Sequence, residues 1–184
     1  SEYKSYMFSK TPVIFVVRSI YDTIVSYFYH KTKHKSEFDG NISLFIRGKE
    51  NSLKKLANYI NSWSKNLANN KSLIVSYEDM HLDTNNAFSQ IISFMGITVN
   101  EDILRIAIEK STFDNMLQSE LNSGGIPDSD YDVRVKSARR LRSGLVDDYF
   151  NHLDAENIEY IKRYCIDNLT FESKKLYEDV GIKI

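Results

Sequence analysis

The sequence predicts an α/β fold, with a parallel sheet flanked by helices. Three observations carry that expectation. Two short β-branched apolar runs, "TPVIFVV" ending at Val17 and "SLIVSY" ending at Tyr77, read as buried strands. Amphipathic stretches at helical spacing lie between and after them. The order strand, helix, helix, strand, helix suits parallel pairing through crossover connections. At 184 residues the chain is long enough for one domain with a core of its own, taken as residues 1–184.

The elements follow in chain order. After the first strand, "YDTIVSYFYHKTKH" reads as a helix that is apolar over most of its surface and polar at its end. "NSLKKLANYINSWSKNLANN" places Leu53, Leu56, Ile60, Trp63 and Leu67 on one helical face. "NNAFSQIISFMGI" is a helix that Gly96 can stop at its C′ position. "NEDILRIAIEKS" has acidic residues in its first turn, where the helix dipole favours them. Residues 122–130, "NSGGIPDSD", have loop composition, and with the basic run that follows, residues 122–143 are expected to be poorly ordered without a ligand. "DAENIEYIKRYCIDNL" and "ESKKLYEDV" close the chain as helices. Two strands are few for such a sheet. The fold is therefore expected to be N-terminally incomplete, with an unpaired edge or exposed apolar surface on the strand at 13–17.

Charge and composition exclude several function classes. Net charge is −1, so no global field favours nucleic acid or a membrane surface. No apolar run approaches the length of a membrane span. The first ten residues, "SEYKSYMFSK", lack the basic-then-apolar layout of a signal peptide. The lone Cys165 excludes an internal disulfide, suits a reducing compartment and points to a cytoplasmic location. In so asparagine-rich a chain, the sequons at Asn41, Asn70 and Asn168 read as chance. The histidines are scattered, which argues against a metal site.

An anion site must then come from local clustering. Arg18 sits at the carboxyl end of the first strand, where ligands bind in open α/β sheets. Asp22, Ser26 and His30 follow at i, i+4 spacing as one polar stripe, with Ser26 on a helix otherwise set for burial. A guanidinium with a nearby hydroxyl suits a phosphate or sulfate oxygen. The competing reading pairs Arg18 with Asp22 and ties Ser26 to the carbonyl four residues back. Tyr77, at the end of the second strand, can pack against a base. Arg134, Lys136, Arg139, Arg140 and Arg142 fall within nine residues with no acid among them, a segment suited to closing over a polyanion. Asp147 and Asp148 follow and can neutralise those arginines.

These blocks, in this order, resemble the sulfotransferases that use 3′-phosphoadenosine 5′-phosphosulfate. The resemblance runs from residue 12 to about 182. "VIFVVRSIYDTIVSYFYH" is similar to the family's strand–helix block for the cofactor 3′-phosphate, which implies that role for Arg18 and Ser26. "INSWSKNLANNKSLIVSYEDM" resembles the tryptophan helix and following strand, implying an adenine neighbour in Tyr77. "STFDNM" resembles the block lining the adenine pocket, implying Ser111, Phe113 and Met116. "RSGLVDDYFNHLDAEN" resembles the late arginine–lysine–glycine loop that closes on the 3′-phosphate, implying Arg142, Ser143 and Gly144.

The departures are specific. Ile20 stands where the family has a proline, Ser143 where it has a lysine, and Tyr149 where it has a tryptophan. Arg139 or Arg140 can compensate for the missing lysine. The family's Ser-Gly-Thr-Thr phosphosulfate loop and its catalytic histidine do not occur within these residues, so no catalytic residue is assigned. The resemblance implies a P-loop-NTPase-like sulfotransferase fold and sulfuryl transfer to a hydroxyl or amine of a small-molecule or glycan acceptor. The cofactor leaves as 3′-phosphoadenosine 5′-phosphate, abbreviated PAP below. It leaves open a homo-oligomer, or an N-terminal segment supplied by a longer parent chain. Two other classes compete: a non-catalytic nucleotide-binding or interaction module that keeps the 3′-phosphoadenosine half of the site, and a P-loop kinase-like domain, which no Walker motif supports.

Overall fold

Strands β1 (Val13–Val17) and β2 (Ser72–Ser76) pair in parallel, in the register Val13 with Ser72 through Val17 with Ser76. The computed structural model of the chain describes residues 11–48, 53–67, 71–124, 132 and 134–184. Because the register is unshifted, Arg18 and Tyr77 leave the sheet side by side at the same end, as the sequence order predicts. β2 stops at Ser76, one residue before the expected end. The Ser76 hydroxyl accepts from the Asp79 N–H at 2.9 Å and caps a helix there.

β1 runs into α1 (Ile20–Tyr29), which continues through a π-helical turn, His30–His34. α2 (Ile42–Arg47) and α3 (Leu53–Leu67) complete the crossover to β2. Then come α4 (Tyr77–Leu82), α5 (Thr84–Phe94), α6 (Glu101–Lys110) and α7 (Phe113–Asn122), and after the basic loop α8 (Ala155–Asn168) and α9 (Phe171–Asp179). α2, α4 and α7 fall on stretches read without a helix in the sequence. Each is opened by a side-chain cap, from Asn41, Ser76 and Thr112 respectively. The outer residues of the predicted α3 helix, 51–52 and 68–70, lie outside the described residues, as do 125–130 of the predicted loop.

The core gathers on one side of the sheet. Ile24 and Val25 of α1, Phe45 and Ile46 of α2, Leu53 of α3, Ile161 and Cys165 of α8 and Tyr177 of α9 are all buried. Trp63 packs on Phe15 with ring centroids 5.5 Å apart. A buried polar link joins α3 to α9: Ser173 Oγ donates to Asn61 Oδ1 at 2.7 Å, and the Ser64 and Ser173 hydroxyls are 2.7 Å apart. Burial pushes the Cys165 thiol up to about 12, as expected of a small core residue rather than a reactive one. The other face of β1 is open: Val16 is 51% exposed, and among the described residues β1 pairs only with β2. This is the exposed surface anticipated for that strand.

Ile161, fully buried on α8 and remote from the sheet's carboxyl end, tests the core separately from the site. Ile161→Ala is expected to cost about 3 kcal/mol, read as a lower urea midpoint at unchanged slope.

Candidate functional site

A cavity of about 760 Å³ opens at the carboxyl end of the two strands. Arg18, Ser26, Tyr77, Ser111, Phe113, Met116, Arg142, Ser143 and Gly144 all line it, so the nine positions singled out in the sequence meet in one place. Five separate segments deliver them. Arg18 follows β1, Ser26 faces out from α1, and Tyr77 opens α4. Ser111, Phe113 and Met116 come from the α6–α7 corner, and residues 142–144 from the loop before α8. Met80, Thr84, Phe88 and Ile108 fill the apolar wall between them, and no sequence signal beyond helical apolar spacing marked these.

Arg18 is held from three sides. Its Nη2 donates to the Leu145 carbonyl at 2.8 Å and lies 3.3 Å from Asp22 Oδ2, and its guanidinium stacks over the Tyr77 ring at 4.1 Å. Leu145 and Tyr77 are both distant in sequence, and the Arg18–Asp22 pairing also exists. Arg18 Nε is buried without a hydrogen-bond partner among the described residues.

The polar stripe of α1 splits into separate roles. Asp22 is buried and turns away from the cavity, accepting from the backbone N–H groups of Asp147 (3.0 Å) and Tyr149 (2.9 Å). Ser26, the polar residue of a helix otherwise set for burial, is exposed, does not bond the carbonyl four residues back, and its hydroxyl has no partner among the described residues. The reason is helical phase, because the apolar residues Ile24 and Val25 take the core side and leave Ser26 facing the cavity. His30 Nδ1 lies 3.3 Å from His34 Nδ1.

The closing loop is built around Asp148, which is buried. Arg142 Nη2 and Ser143 Oγ both donate to its Oδ2 at 2.8 Å, and Asn151 Nδ2 donates to Oδ1 at 3.0 Å. Burial alone would raise this carboxyl's pKa. The hydrogen bonds from Asn151, Ser143 and Arg142, with the Arg142 charge, outweigh burial and hold it well below the usual carboxylate range. Arg142 also stacks on Tyr29, and its Nη1 lies 2.8 Å from His152 Nε2. His152 Nε2 also lies 3.2 Å from Asp148 Oδ2, and its Nδ1 faces Tyr29 Oη at 3.3 Å. Upstream, Glu120 of α7 accepts from the backbone N–H groups of Arg140 and Leu141 at 3.0 and 3.2 Å. Of the segment expected to be poorly ordered, 125–131 and 133 lie outside the described residues, and 140–143 are tied down by these carboxylates.

Gly144 is required by geometry. Its φ is +64°, and a Cβ there would meet the Phe113 ring at 2.2 Å. Phe113 and the loop at 142–144 are in direct contact. Glu120, Asp148 and His152 carry no weight in the sequence reading as site residues. The visible signal was acidic residues flanking an arginine run, with a histidine one helical turn beyond the second.

Comparison with known proteins settles the lineage. The family model described as the sulfotransferase domain matches residues 3–177. The chain belongs to the sulfotransferase family. Human sulfotransferase 2A1 is 27% identical over 161 residues, covering 85% of this chain and 55% of the relative. Sulfotransferase 2A1 of Macaca fascicularis is 25% identical over 179 residues, 95% of this chain and 62% of the relative. The chain therefore spans a little over half the length of these curated relatives. Among solved structures, mouse sulfotransferase SULT7A1 complexed with PAP superposes with a TM-score of 0.67 at 20% identity, over 90% of this chain and 62% of the other. Retinol dehydratase in complex with androsterone and inactive cofactor PAP gives 0.63 at 18% identity, over 93% and 48%. The α/β architecture is thus that of the sulfotransferase fold. Among the described residues, no helix is long and apolar enough to cross a membrane.

Two substitutions test this geometry. Gly144→Ala is expected to destabilise by about 1–3 kcal/mol in thermal unfolding, and adding Phe113→Ala should cost less than the sum of the two single changes, since it removes the clash. Asp148→Asn is expected to cost about 3 kcal/mol at pH 7, because it strands Arg142 and Ser143. A carboxyl whose folded pKa is depressed stabilises fully above its unfolded value and loses that contribution as pH falls toward the folded one. The gap between wild type and Asp148→Asn should therefore be full at pH 7 and narrow only below about pH 4, read from urea midpoints across pH.

Proposed function

We propose that these residues bind the 3′-phosphoadenosine part of 3′-phosphoadenosine 5′-phosphosulfate in a sulfotransferase that transfers a sulfuryl group to a hydroxyl or amine. The observation that carries this reading is the meeting of all nine singled-out residues around one cavity at the strand ends. Two superposed relatives were solved with PAP, which supports the same ligand.

The donor set fits such a nucleotide. The buried, unpartnered Arg18 Nε–H and the unpartnered Ser26 hydroxyl are donors suited to an anionic oxygen. Arg142 adds a second guanidinium, aimed by Asp148 and Tyr29. Tyr77, Phe113 and Met116 offer flat and soft apolar surface to a base. The bound cofactor supplies the activated sulfuryl group. The residues of this chain grip and orient it, and positioning of this kind accounts for a large share of the rate in in-line group transfer. Arg140 and Arg142 line the cavity on the side assigned to the phosphate, while the Ser143 hydroxyl is committed to Asp148, so a phosphate must compete for it.

The test is titration calorimetry with PAP and with adenosine 5′-phosphate, which lacks the 3′-phosphate. Wild type is expected to prefer PAP strongly. Arg18→Ala should lose about 10- to 100-fold of that preference. Because Arg18 also holds Leu145 and Asp22, Ser26→Ala serves as the clean variant, as it breaks no contact within the protein, and it should lose about tenfold. Equal binding of the two ligands by wild type, or equal weakening of both in the variants, would overturn the assignment.

A further inference from the structure

A second cavity of about 680 Å³ adjoins the first, a volume within the range of about 300–1,000 Å³ common to small-ligand sites. Arg18, Ser26, Arg140 and Arg142 line both cavities. These are residues placed around the 3′-phosphate above. On that reading the phosphate stands on a border between two cavities, not at a closed end. Beyond the border the wall turns aromatic and apolar. Tyr27 of α1, His30 of the π-helical turn, and Leu56 and Tyr59 of α3 form it.

The rings of that wall are fixed by their neighbours. The Tyr59 ring centroid lies 6.4 Å from that of Phe15 and 6.3 Å from that of Trp63, and Tyr27 meets Phe45 edge-on at 5.4 Å. Tyr59 is still 44% exposed. A half-exposed ring held in place offers a face on which a nucleobase stacks at little cost in ordering the protein. The chemistry of the phosphate limits what can reach this wall. A group past a 3′-phosphate, on the side away from its ribose, is joined to it through a second ester bond. Such a diester keeps two non-bridging oxygens, which accept from Arg18 and Ser26, and it gives up one negative charge.

We infer that the second cavity takes the next nucleoside of a 3′-extended adenine nucleotide. The first residue of this dinucleotide occupies the first cavity, and its 3′→5′ phosphodiester sits among Arg18, Ser26, Arg140 and Arg142. The second base packs against Tyr27, Leu56 and Tyr59. The inference rests on the nucleotide reading above. It stops at a dinucleotide, because a net charge of −1 supplies no field for a longer polyanion. Tyr59 is the discriminating residue, since it lines this cavity and not the first.

The experiment is calorimetry on the full 184-residue chain with four ligands. They are adenosine 5′-phosphate, PAP, PAP methylated on its 3′-phosphate, and pApA, in which a second adenosine replaces the methyl group. The last two carry equal charge and differ in the second nucleoside alone. The dinucleotide is expected to bind about tenfold tighter than the methyl ester. Tyr59→Ala should remove most of that gain and leave PAP and the methyl ester unchanged. The ligand comparison on wild type needs no variant, so it decides even if Tyr59→Ala does not fold. With PAP preferred over adenosine 5′-phosphate, a dinucleotide that binds no tighter than the methyl ester overturns the inference and leaves the nucleotide reading standing. A gain that survives in folded Tyr59→Ala overturns it too, because the second base then lies elsewhere. So does an equal loss of PAP and dinucleotide in that variant. If wild type binds PAP and adenosine 5′-phosphate alike, the nucleotide reading fails and the inference falls with it.

Discussion

A buried carboxylate on the first turn of α1 organises the molecule. Asp22 is 3% exposed, and a carboxylate buried that deeply needs hydrogen-bonding partners. It takes Arg18 on one side and the N–H groups of Asp147 and Tyr149 on the other. Those contacts join residues more than a hundred positions apart. They bring the strand-end arginine and the late loop to the same edge, and they hold Asp147 in its left-handed conformation at φ +59°. Without Asp22, Arg18 and Arg142 would have no common frame.

The same device recurs twice along the loop. Asp148 collects Arg142 and Ser143, and Glu120 takes the backbone at Arg140 and Leu141. Three carboxylates from three segments therefore shape a run of like charges that would repel itself if left in solvent. The acidic groups bind backbone N–H groups and some guanidinium edges, and they leave other positive groups turned toward the two cavities. This explains how a chain with net charge −1 can carry two adjoining cavities bordered by arginines.

Much of this was legible beforehand, and the failures have physical causes. β1, β2, α1, α3, α5, α8 and α9 were visible because burial imposes a period on apolar residues, as at Leu53, Ile60 and Leu67, and α6, which buries none of its residues, by the acidic residues of its first turn. α2 and α4 are too short to establish a period. α7 likewise buries none of its residues, and its Thr112 cap is the sequence feature that marks its start. Arg18 and Ser26 were found by their place after a strand. Their surroundings were not, because a partner such as the Leu145 carbonyl is a backbone atom and any residue type can supply it. That Ser26 needs no partner within the chain was not legible, because a helix with apolar residues on most sides still has one face toward the cavity. The carboxylates that shape the loop were read only as charge balance, since sequence shows the sign of a residue and not which N–H groups it meets.

The close approach of Gly144 to Phe113 has a consequence for recognition. With no side chain at 144 the loop rests against the ring, and the ring is also a wall of the apolar pocket. The part of the site suited to a base and the part suited to a phosphate therefore share a bearing surface. A ligand that shifts the ring moves the seat of the loop, and a ligand that draws in the loop presses on the ring. On the proposed reading, the two halves of a nucleotide are then bound cooperatively, and the free energy of the whole is not the sum of its pieces measured apart.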